Sequence, residues 1–188
     1  MNSVLPKLIA ESCRTFQSLG SQENAFLKIA SAAVATLQSG GKILACGNGG
    51  SAADAMHLAE ELVGRFKNQR RPFPAMSLNA DGTLLTCIGN DFSFDEVFSR
   101  QIEGLANEND LLICFSTSGN SPNILRALDA AKKKGVQSVA LLGKGGGQAK
   151  GKADFEMIIP NDDSGRIQEA HTLILHGLLD MIEQNITA

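Results

Sequence analysis

The sequence contains no tryptophan and no tyrosine, and its 188 residues include only four cysteines. The cysteines are widely separated and form no C-x-x-C pair, which argues against a zinc ribbon and against a disulfide framework. Such sparse cysteine usage fits a reducing compartment, so we expect a cytoplasmic protein. The missing aromatics exclude no fold, because Leu, Ile, Val, Ala and nine Phe can fill an α/β core.

Long apolar runs and an excess of charge of either sign are also missing. Lys7, Glu11 and Arg14 interrupt the apolar residues near the start, so we expect no signal-peptide core, and no stretch has the length of a membrane span. The formal net charge of −3 gives no general field for nucleic acid or an anionic membrane. We therefore expect a soluble protein with neither partner, which holds any anion locally.

The length of the chain predicts a single domain over residues 1–188. Apolar residues at helical spacing predict helices over 4–19, 22–38 and 164–186. Short apolar segments bounded by Gly, Pro, Asn or Ser predict strands over 42–46, 75–78, 111–115, 137–142 and 155–159. With helical patterns between several strands, the chain predicts an α/β fold: a three-layer α/β/α sandwich with a mostly parallel five-stranded sheet and two preceding helices.

Residues 42–51 show the pattern of a buried strand, a glycine-rich loop and a helix start. Three glycines permit a tight turn and close approach of a ligand, and the following helix N-terminus attracts anions. The segment predicts a site for a small phosphorylated molecule. His57 and Glu61 lie one turn apart on that helix, where they suit a metal site or an acid/base pair, or form an ordinary solvated pair.

A second strand-loop-helix unit contains the serine-rich loop Ser116–Ser121. Four hydroxyl side chains within six positions favour a phosphate cradle over a simple helix cap. Both loops should open onto the same edge of a parallel sheet and share one pocket. Neither has a Walker or G-x-G-x-x-G sequence, so a sugar phosphate is favoured over a nucleotide. The glycine-rich turn 143–147 is expected to be mainly a flexible connection.

The last helix carries Gln168, His171 and His176 within an apolar pattern. A histidine within an apolar helical pattern is usually buried, neutral and satisfied by one hydrogen bond. Gln168 and His176 are eight positions apart, about 12 Å of rise and roughly 80° of rotation on an ideal helix. Either Gln168 precedes the regular helix, or the two side chains serve different copies of a site shared between subunits, which predicts an oligomer.

Three further positions call for an interpretation. Asp91, after Asn90 and ahead of an aromatic-rich segment 92–98 with a helical pattern, is either a helix cap or a contact to sugar hydroxyls. Asp110 is interpreted as a turn residue ahead of a strand. Arg65 either reaches a phosphate or is an exposed helix residue.

These motifs together, in order along almost the whole chain, resemble the phosphoheptose isomerases of the sugar-isomerase (SIS) domain family. The resemblance is carried by 46–65, 89–92, 116–121 and 166–171 with His176. It implies a SIS, flavodoxin-like fold and a homotetramer with active sites between subunits. The N-terminal helices 1–40 are expected to contribute to oligomerisation. It also implies conversion of D-sedoheptulose 7-phosphate to D-glycero-D-manno-heptose 7-phosphate, for the heptose of bacterial surface glycans such as the lipopolysaccharide core.

The resemblance also assigns site residues. Glu61 and His176 correspond to the acid/base residues, and one zinc ion per subunit corresponds to His57, Glu61, Gln168 and His176. The substrate contacts correspond to Asn48, Gly49, Gly50, Glu61, Asn90, Asp91, Ser116, Thr117, Ser118, Ser121 and Gln168. In this family pattern the serine loop takes the phosphate.

The chain departs from the family pattern at one position and leaves two alternatives. Relatives often carry an acidic residue just before the Arg166 segment, where this chain has Gly165, with Asp162 and Asp163 slightly upstream. One alternative is a non-catalytic SIS adaptor, similar to a regulator of replication initiation that binds the initiator protein. That relative lacks the carboxylate at the Glu61 position, so Glu61 favours catalysis. The other alternative is an isomerase for a different sugar phosphate.

Overall fold

A computed structural model describes residues 3–186 as a five-stranded parallel sheet with helices on both faces, which confirms the predicted fold class. The strand order is β2-β1-β3-β4-β5. The strands are β1 (Ile43–Gly47), β2 (Ala75–Ser77), β3 (Leu111–Ser116), β4 (Gln137–Leu142) and β5 (Phe155–Ile158). The α-helices are α1 (Leu5–Leu19), α2 (Glu23–Gln38), α3 (Gly50–Val63), α4 (Gly82–Asp91), α5 (Ser99–Leu105), α6 (Pro122–Lys134) and α7 (Ser164–Asn185).

The central strands are apolar throughout because both faces of the sheet are covered. Along β3, Leu111, Ile113 and Phe115 point into the core on the side of α2, α3 and α7. Leu112 and Cys114 point into the core on the other side, among residues of α4, α5 and α6. Successive side chains of a strand alternate between faces, so a single apolar segment serves both cores.

Strands β1 and β3 are neighbours although β2 lies between them in sequence. Their register pairs Cys46 with Cys114 and Gly47 with Phe115. The chain leaves β1 towards one side of the sheet and later continues from β3 towards the other, which makes this a topological switch point. The loops that follow β1 and β3 therefore emerge side by side.

Two carboxylates, those of Asp110 and Asp163, set where β3 and α7 begin. Asp110 accepts backbone N–H bonds from Asn107 and Lys42 at 2.7 and 2.9 Å, which confirms it as a turn residue ahead of β3. Asp163 caps α7 by accepting from the backbone N–H of Arg166 at 3.0 Å. Gly165, the departure from the family pattern, lies in the first turn of α7 beside this cap.

The glycine-rich turn after β4 is a support for the serine loop, and the expectation of a mainly flexible connection was wrong. It forms 3-10 turns within Lys144–Ala149, interrupted by positive φ angles at Gly145, Gly146 and Gly147. Ala149 donates a backbone bond to Gly119 at 2.9 Å, and the backbone N–H of Gln148 donates to Asn120 Oδ1 at 3.0 Å. Glycine at 119 lets the two backbones touch, because a Cβ there would lie 1.9 Å from the Gly146 oxygen.

None of the helices within residues 3–186 combines the length and the apolar character that crossing a membrane requires.

His171 lies fully buried on α7, with its ring against Phe115 of β3 at 5.8 Å between centroids. The sequence predicts a buried neutral histidine with one hydrogen bond, yet neither ring nitrogen has a partner of hydrogen-bond geometry among the described residues. Burial lowers the pKa of His171 to about 4. The nearby Leu142 backbone favours the protonated form and raises the pKa, but by less than burial lowers it. The imidazole is therefore neutral in the folded protein at neutral pH.

This buried imidazole should make the fold sensitive to acid. The unfolded chain protonates the histidine near pH 6.5 and the folded chain near pH 4, so folding stability falls as pH drops between these values. We expect a loss of up to about 3 kcal/mol in the free energy of unfolding. Urea unfolding of the wild type and of His171→Met from pH 7 to pH 4 measures the difference and cancels the contribution of the carboxylates. Parallel curves would contradict the assignment.

Candidate active site

The glycine-rich loop joins β1 to α3 in two residues. Gly49 has φ +57°, which only glycine adopts readily, and a Cβ on Gly47 would lie 2.3 Å from the Ser51 carbonyl oxygen. Among the described residues no side chain caps α3, so its N-terminal turn faces the sheet edge without a carboxylate or hydroxyl bound to it. The loop thus offers backbone donors and a positive helix end to an anion.

The serine loop follows β3 and leads into α6. The hydroxyl oxygens of Ser116 and Ser118 accept the backbone N–H groups of Gly119 and Asn120 at 3.0 and 3.2 Å. Each hydroxyl keeps its own O–H for a ligand, because a hydroxyl accepts and donates at once. A small cavity of about 40 Å³ lies between the two loops, lined by Asn48, Ser51, Phe115, Ser116, Thr117, Ser118 and Ser121.

A larger cavity of about 690 Å³ lies between α2 and β5. Its described lining contains no histidine and no carboxylate, so it lacks the groups that acid/base chemistry needs. The smaller cavity between the loops is the better candidate, because it combines hydroxyl groups with two helix N-termini.

Two asparagines that the sequence analysis did not single out hold the loops in place. The first is Asn123. Its side-chain amide forms two hydrogen bonds with that of Asn48, at 2.8 and 3.0 Å, which join the glycine loop to the first turn of α6. Asn79 binds both backbone groups of Gly47, at 3.2 and 2.9 Å. Asn123 is buried, and a polar residue directly after Pro122 at a helix start is the only sequence signal that pointed to it.

Helices α3 and α7 pack side by side and run in the same direction, so that successive turns of one face successive turns of the other. Gln168 lies over Gly50, Thr172 donates a hydrogen bond to Asp54 at 3.0 Å, and the rings of His176 and His57 meet edge to face at 5.0 Å. These contacts create a polar row between otherwise apolar helices. The row leads from the glycine loop to the far end of α3.

The far end of this row carries imidazole and carboxylate groups, which are suited to acid/base chemistry. His57 Nε2 lies 3.5 Å from Glu61 Oε1, and their side chains are 34% and 18% exposed. His176 is half-buried beside them. His57 thus contacts both Glu61 and His176, so three of the four residues that the family pattern assigns to zinc lie at this end of the row.

Within residues 3–186 one group of side chains has the spacing of potential metal ligands. His57, Glu60 and Glu61 each offer a ligand atom within 4.8 Å of the others. Imidazole nitrogen and carboxylate oxygen are ligands that zinc accepts, so the donor set fits this metal. Glu60 is a member that the sequence analysis did not name, and its only sequence signal is its place next to Glu61.

Asp54 is a further residue that the sequence analysis missed. Its carboxylate is buried between α3 and α7, where Oδ1 accepts from Thr172 and Oδ2 has no partner among the described residues. Burial raises the pKa of Asp54, and the Thr172 hydrogen bond and nearby His57 offset this only in part. The group lies one turn before His57 and adds an acidic side chain to the row.

Gln168 does not join the other zinc candidates within one chain. It lies inside the regular helix α7, and its side-chain amide covers Gly50 at the glycine loop. The first of the two interpretations, an irregular start of the helix, was therefore wrong. Eight residues of regular helix separate Gln168 from His176 by about 12 Å, which is too far for one ion.

Asn90 and Asp91 form the last turn of α4, where both are exposed and bonded to each other at 2.8 Å. The interpretation of Asp91 as the cap of a following helix was wrong, because the predicted helix over 92–98 is a 3-10 turn, Phe94–Glu96, followed by α5. No described hydrogen bond joins this pair to either loop. Arg65 is exposed and lies beyond the end of α3, so it is not a helix residue.

Comparisons with known proteins show which sequences and structures the chain is similar to. The model of the SIS domain family matches residues 9–143. A phosphoheptose isomerase of a Nitratiruptor species is 46% identical over 182 residues, which cover 96% of this chain and 97% of that protein. One from Helicobacter pylori (strain HPAG1) is 51% identical over 152 residues, 81% of this chain and 79% of that protein. The structure of phosphoheptose isomerase from Neisseria gonorrhoeae superposes with a TM-score of 0.89 at 38% identity, covering 96% of this chain and 97% of that one.

The serine loop should not tolerate a side chain at Gly119. This residue has φ +62° and its Cβ would meet a backbone oxygen, whereas Gly145 has φ +75° with nothing within 4 Å. We expect Gly119→Ala to lower the free energy of unfolding by about 3 kcal/mol or more, and the matched Gly145→Ala by about 1 kcal/mol. Urea unfolding measures both. Equal losses would show that the contact with Gly146 does not constrain the loop.

Proposed function

The chain belongs to the SIS domain family, among its phosphoheptose isomerases, and from this premise we propose how its residues interconvert sedoheptulose 7-phosphate and D-glycero-D-manno-heptose 7-phosphate. The protein is a sugar-phosphate isomerase of the aldose–ketose class. The observation that carries the mechanism is the meeting of Glu61 and His57 on α3 with His176 on α7.

The reaction moves a proton between C1 and C2 of the sugar through an enediol. It requires a base near these carbons and an acid that protonates the developing oxyanion. In our proposal Glu61 is the base and His176 is the acid. Glu61 is only 18% exposed, so water is largely kept from the carboxylate that takes up the proton.

The phosphate end of the substrate binds at the serine loop. The free O–H groups of Ser116 and Ser118 donate to phosphate oxygens, together with Thr117, Ser121 and the N-terminus of the 13-residue helix α6. Asn48 of the glycine loop lines the same cavity. In the proposal the loop, Asn48 to Gly50, contacts the substrate between the phosphate and the reacting carbons. The net charge of −3 makes this local arrangement necessary.

We propose that one zinc ion per subunit binds at His57 and Glu61, with His176 beside them. When bound, zinc polarises an oxygen of the substrate as a Lewis acid. Support comes from the group of nearby imidazole and carboxylate donors on α3. The residues of the chain orient one another there whether or not the metal is present, because His57 lies against both Glu61 and His176.

A homotetramer with shared sites is part of the same proposal. Gln168, Asn90 and Asp91 belong to the family pattern, but one chain does not bring them to His57, so neighbouring subunits would supply them. Apolar side chains of α1 lie exposed, with Leu5 61% and Ile9 54% accessible, and suit an interface. Free thiols at all four cysteines and a metabolic substrate support a cytoplasmic location.

The non-catalytic adaptor is the less favoured alternative. The relatives from Nitratiruptor and Helicobacter pylori are named phosphoheptose isomerases, and Glu61 is present, 3.5 Å from His57.

Replacing the base should separate binding from chemistry. We expect Glu61→Gln to lose at least about 10³-fold in kcat, while calorimetry shows that the substrate still binds, because the amide keeps the shape and cannot take a proton. The matched control Glu103→Gln removes an exposed carboxylate of α5 and should keep wild-type turnover. Near-normal turnover of Glu61→Gln would rule out the assigned base.

Removing one imidazole should reduce the zinc content. Metal analysis of purified protein after dialysis against dilute zinc should give one ion per subunit for the wild type and well under half for His57→Ala, because an imidazole ligand is lost. His171→Met removes a histidine buried elsewhere and should retain the ion. Equal zinc in all three proteins would show that His57 does not bind the metal.

A further inference from the structure

Arg70 holds the end of the helix that carries Glu61. The last carbonyl groups of a helix lack partners within it. Here the Arg70 guanidinium provides hydrogen-bond donors for these carbonyl groups. Its Nη2 donates to the Glu61 carbonyl at 2.7 Å and its Nη1 to the Leu62 carbonyl at 3.0 Å. The Arg70 side chain is only 4% exposed and its guanidinium lies 4.2 Å from the Phe73 ring. The last turn of α3 is therefore fixed by a buried cation.

Glu183 of α7 binds that cation and the segment behind it. Its Oε1 accepts from Arg70 Nε at 2.8 Å. Its two oxygens also accept the backbone N–H groups of Phe66, Lys67 and Asn68 at 3.3, 3.2 and 3.0 Å. Burial of the 2%-exposed side chain by itself raises the pKa of Glu183, but these donors outweigh burial and hold the pKa below its usual value.

The segment held by Glu183 places an aromatic ring on His176. The Phe66 ring stacks on the imidazole with centroids 5.4 Å apart and planes 16° from parallel. On the other side His57 meets the same imidazole edge to face at 5.0 Å. Glu183 lies two helical turns after His176, on the same face of α7. One carboxylate thus connects Phe66, Arg70 and the helix that bears the acid.

We propose that the buried Arg70–Glu183 pair is a positioning device that fixes Glu61 on α3 relative to His176 on α7 and holds Phe66 against the His176 ring. The inference rests on the proposed function, because it takes Glu61 and His176 as base and acid. A buried ion pair contributes little net stability compared with apolar residues, so stability alone does not explain it. Fixed geometry does, because a displacement of about 1 Å in a reacting group can lower a rate by about 10²-fold.

The first test is the kinetics of Glu183→Gln, which keeps the size of the side chain and removes its charge. We expect kcat to fall by between about tenfold and a hundredfold, with KM within about twofold, because the substrate contacts stay in place. The matched control is Asp180→Asn. Asp180 binds Lys67 Nζ at 2.8 Å on the same segment, but the pair is exposed, so kcat should stay within about twofold.

The second test observes His176 without any turnover. The chain has three histidines, so their imidazole signals can be assigned by NMR of histidine-labelled protein. The stacked Phe66 ring should displace the His176 signals, and Phe66→Leu should abolish this displacement. Glu183→Gln should move the His176 signals towards their Phe66→Leu positions and leave those of buried His171 unchanged. If the wild type does not isomerise the sugar, the proposed function fails while this readout still decides the positioning role.

Three results would overturn the inference. One is wild-type kcat with unchanged His176 signals in folded Glu183→Gln, and another is a rise in KM alone. If Glu183→Gln does not fold, the kinetics of Phe66→Leu are the test, because this variant leaves the ion pair intact. We expect it to have a lower kcat with unchanged KM. An unchanged kcat of Phe66→Leu is the third contradicting result.

Discussion

Strands β1 and β3 pair in parallel with Cys46 opposite Cys114, and both segments therefore leave the sheet at the same edge within a residue of each other. Because the strand order changes direction here, the glycine loop and the serine loop have no other element between them. The hydrogen bonds between the side-chain amides of Asn48 and Asn123 then join the two loops. The position of the proposed phosphate site is thus a consequence of strand register, and the hydroxyl groups of the serine loop would supply its chemistry.

Helix α7 provides the second half of the site. Its polar row, Gln168, Thr172 and His176, follows the direction of α3 from the glycine loop to His57 and Glu61. Farther along the same helix, Glu183 binds the chain beyond α3. In the proposed site a single long helix therefore relates the phosphate end to the end with the acid/base groups, and a linear sugar phosphate requires such an arrangement.

Much of this arrangement could be predicted from the sequence, because it depends on local signals. Apolar segments and glycines located the strands and loops, and the spacing of His57 and Glu61 put them on one helical face. The sequence could not show contacts between distant segments. Asn79, Asp54 and Arg70 act through residues that belong to other elements, and the turn 143–147 appeared flexible because its packing partner, Gly119, belongs to another loop. The helix cap, one of the two interpretations of Asp91, was wrong because α4 ends there without a clear end signal in the sequence.

The most direct test of the account is an isomerase assay that follows the sugar by mass-resolved or coupled detection. Metal-stripped protein would be given sedoheptulose 7-phosphate with and without added zinc. The account predicts formation of the heptose 7-phosphate, with turnover that rises when zinc is restored. No turnover under either condition, from protein that is folded and binds the sugar phosphate, would contradict the assignment of this chain's α3 and α7 residues to catalysis.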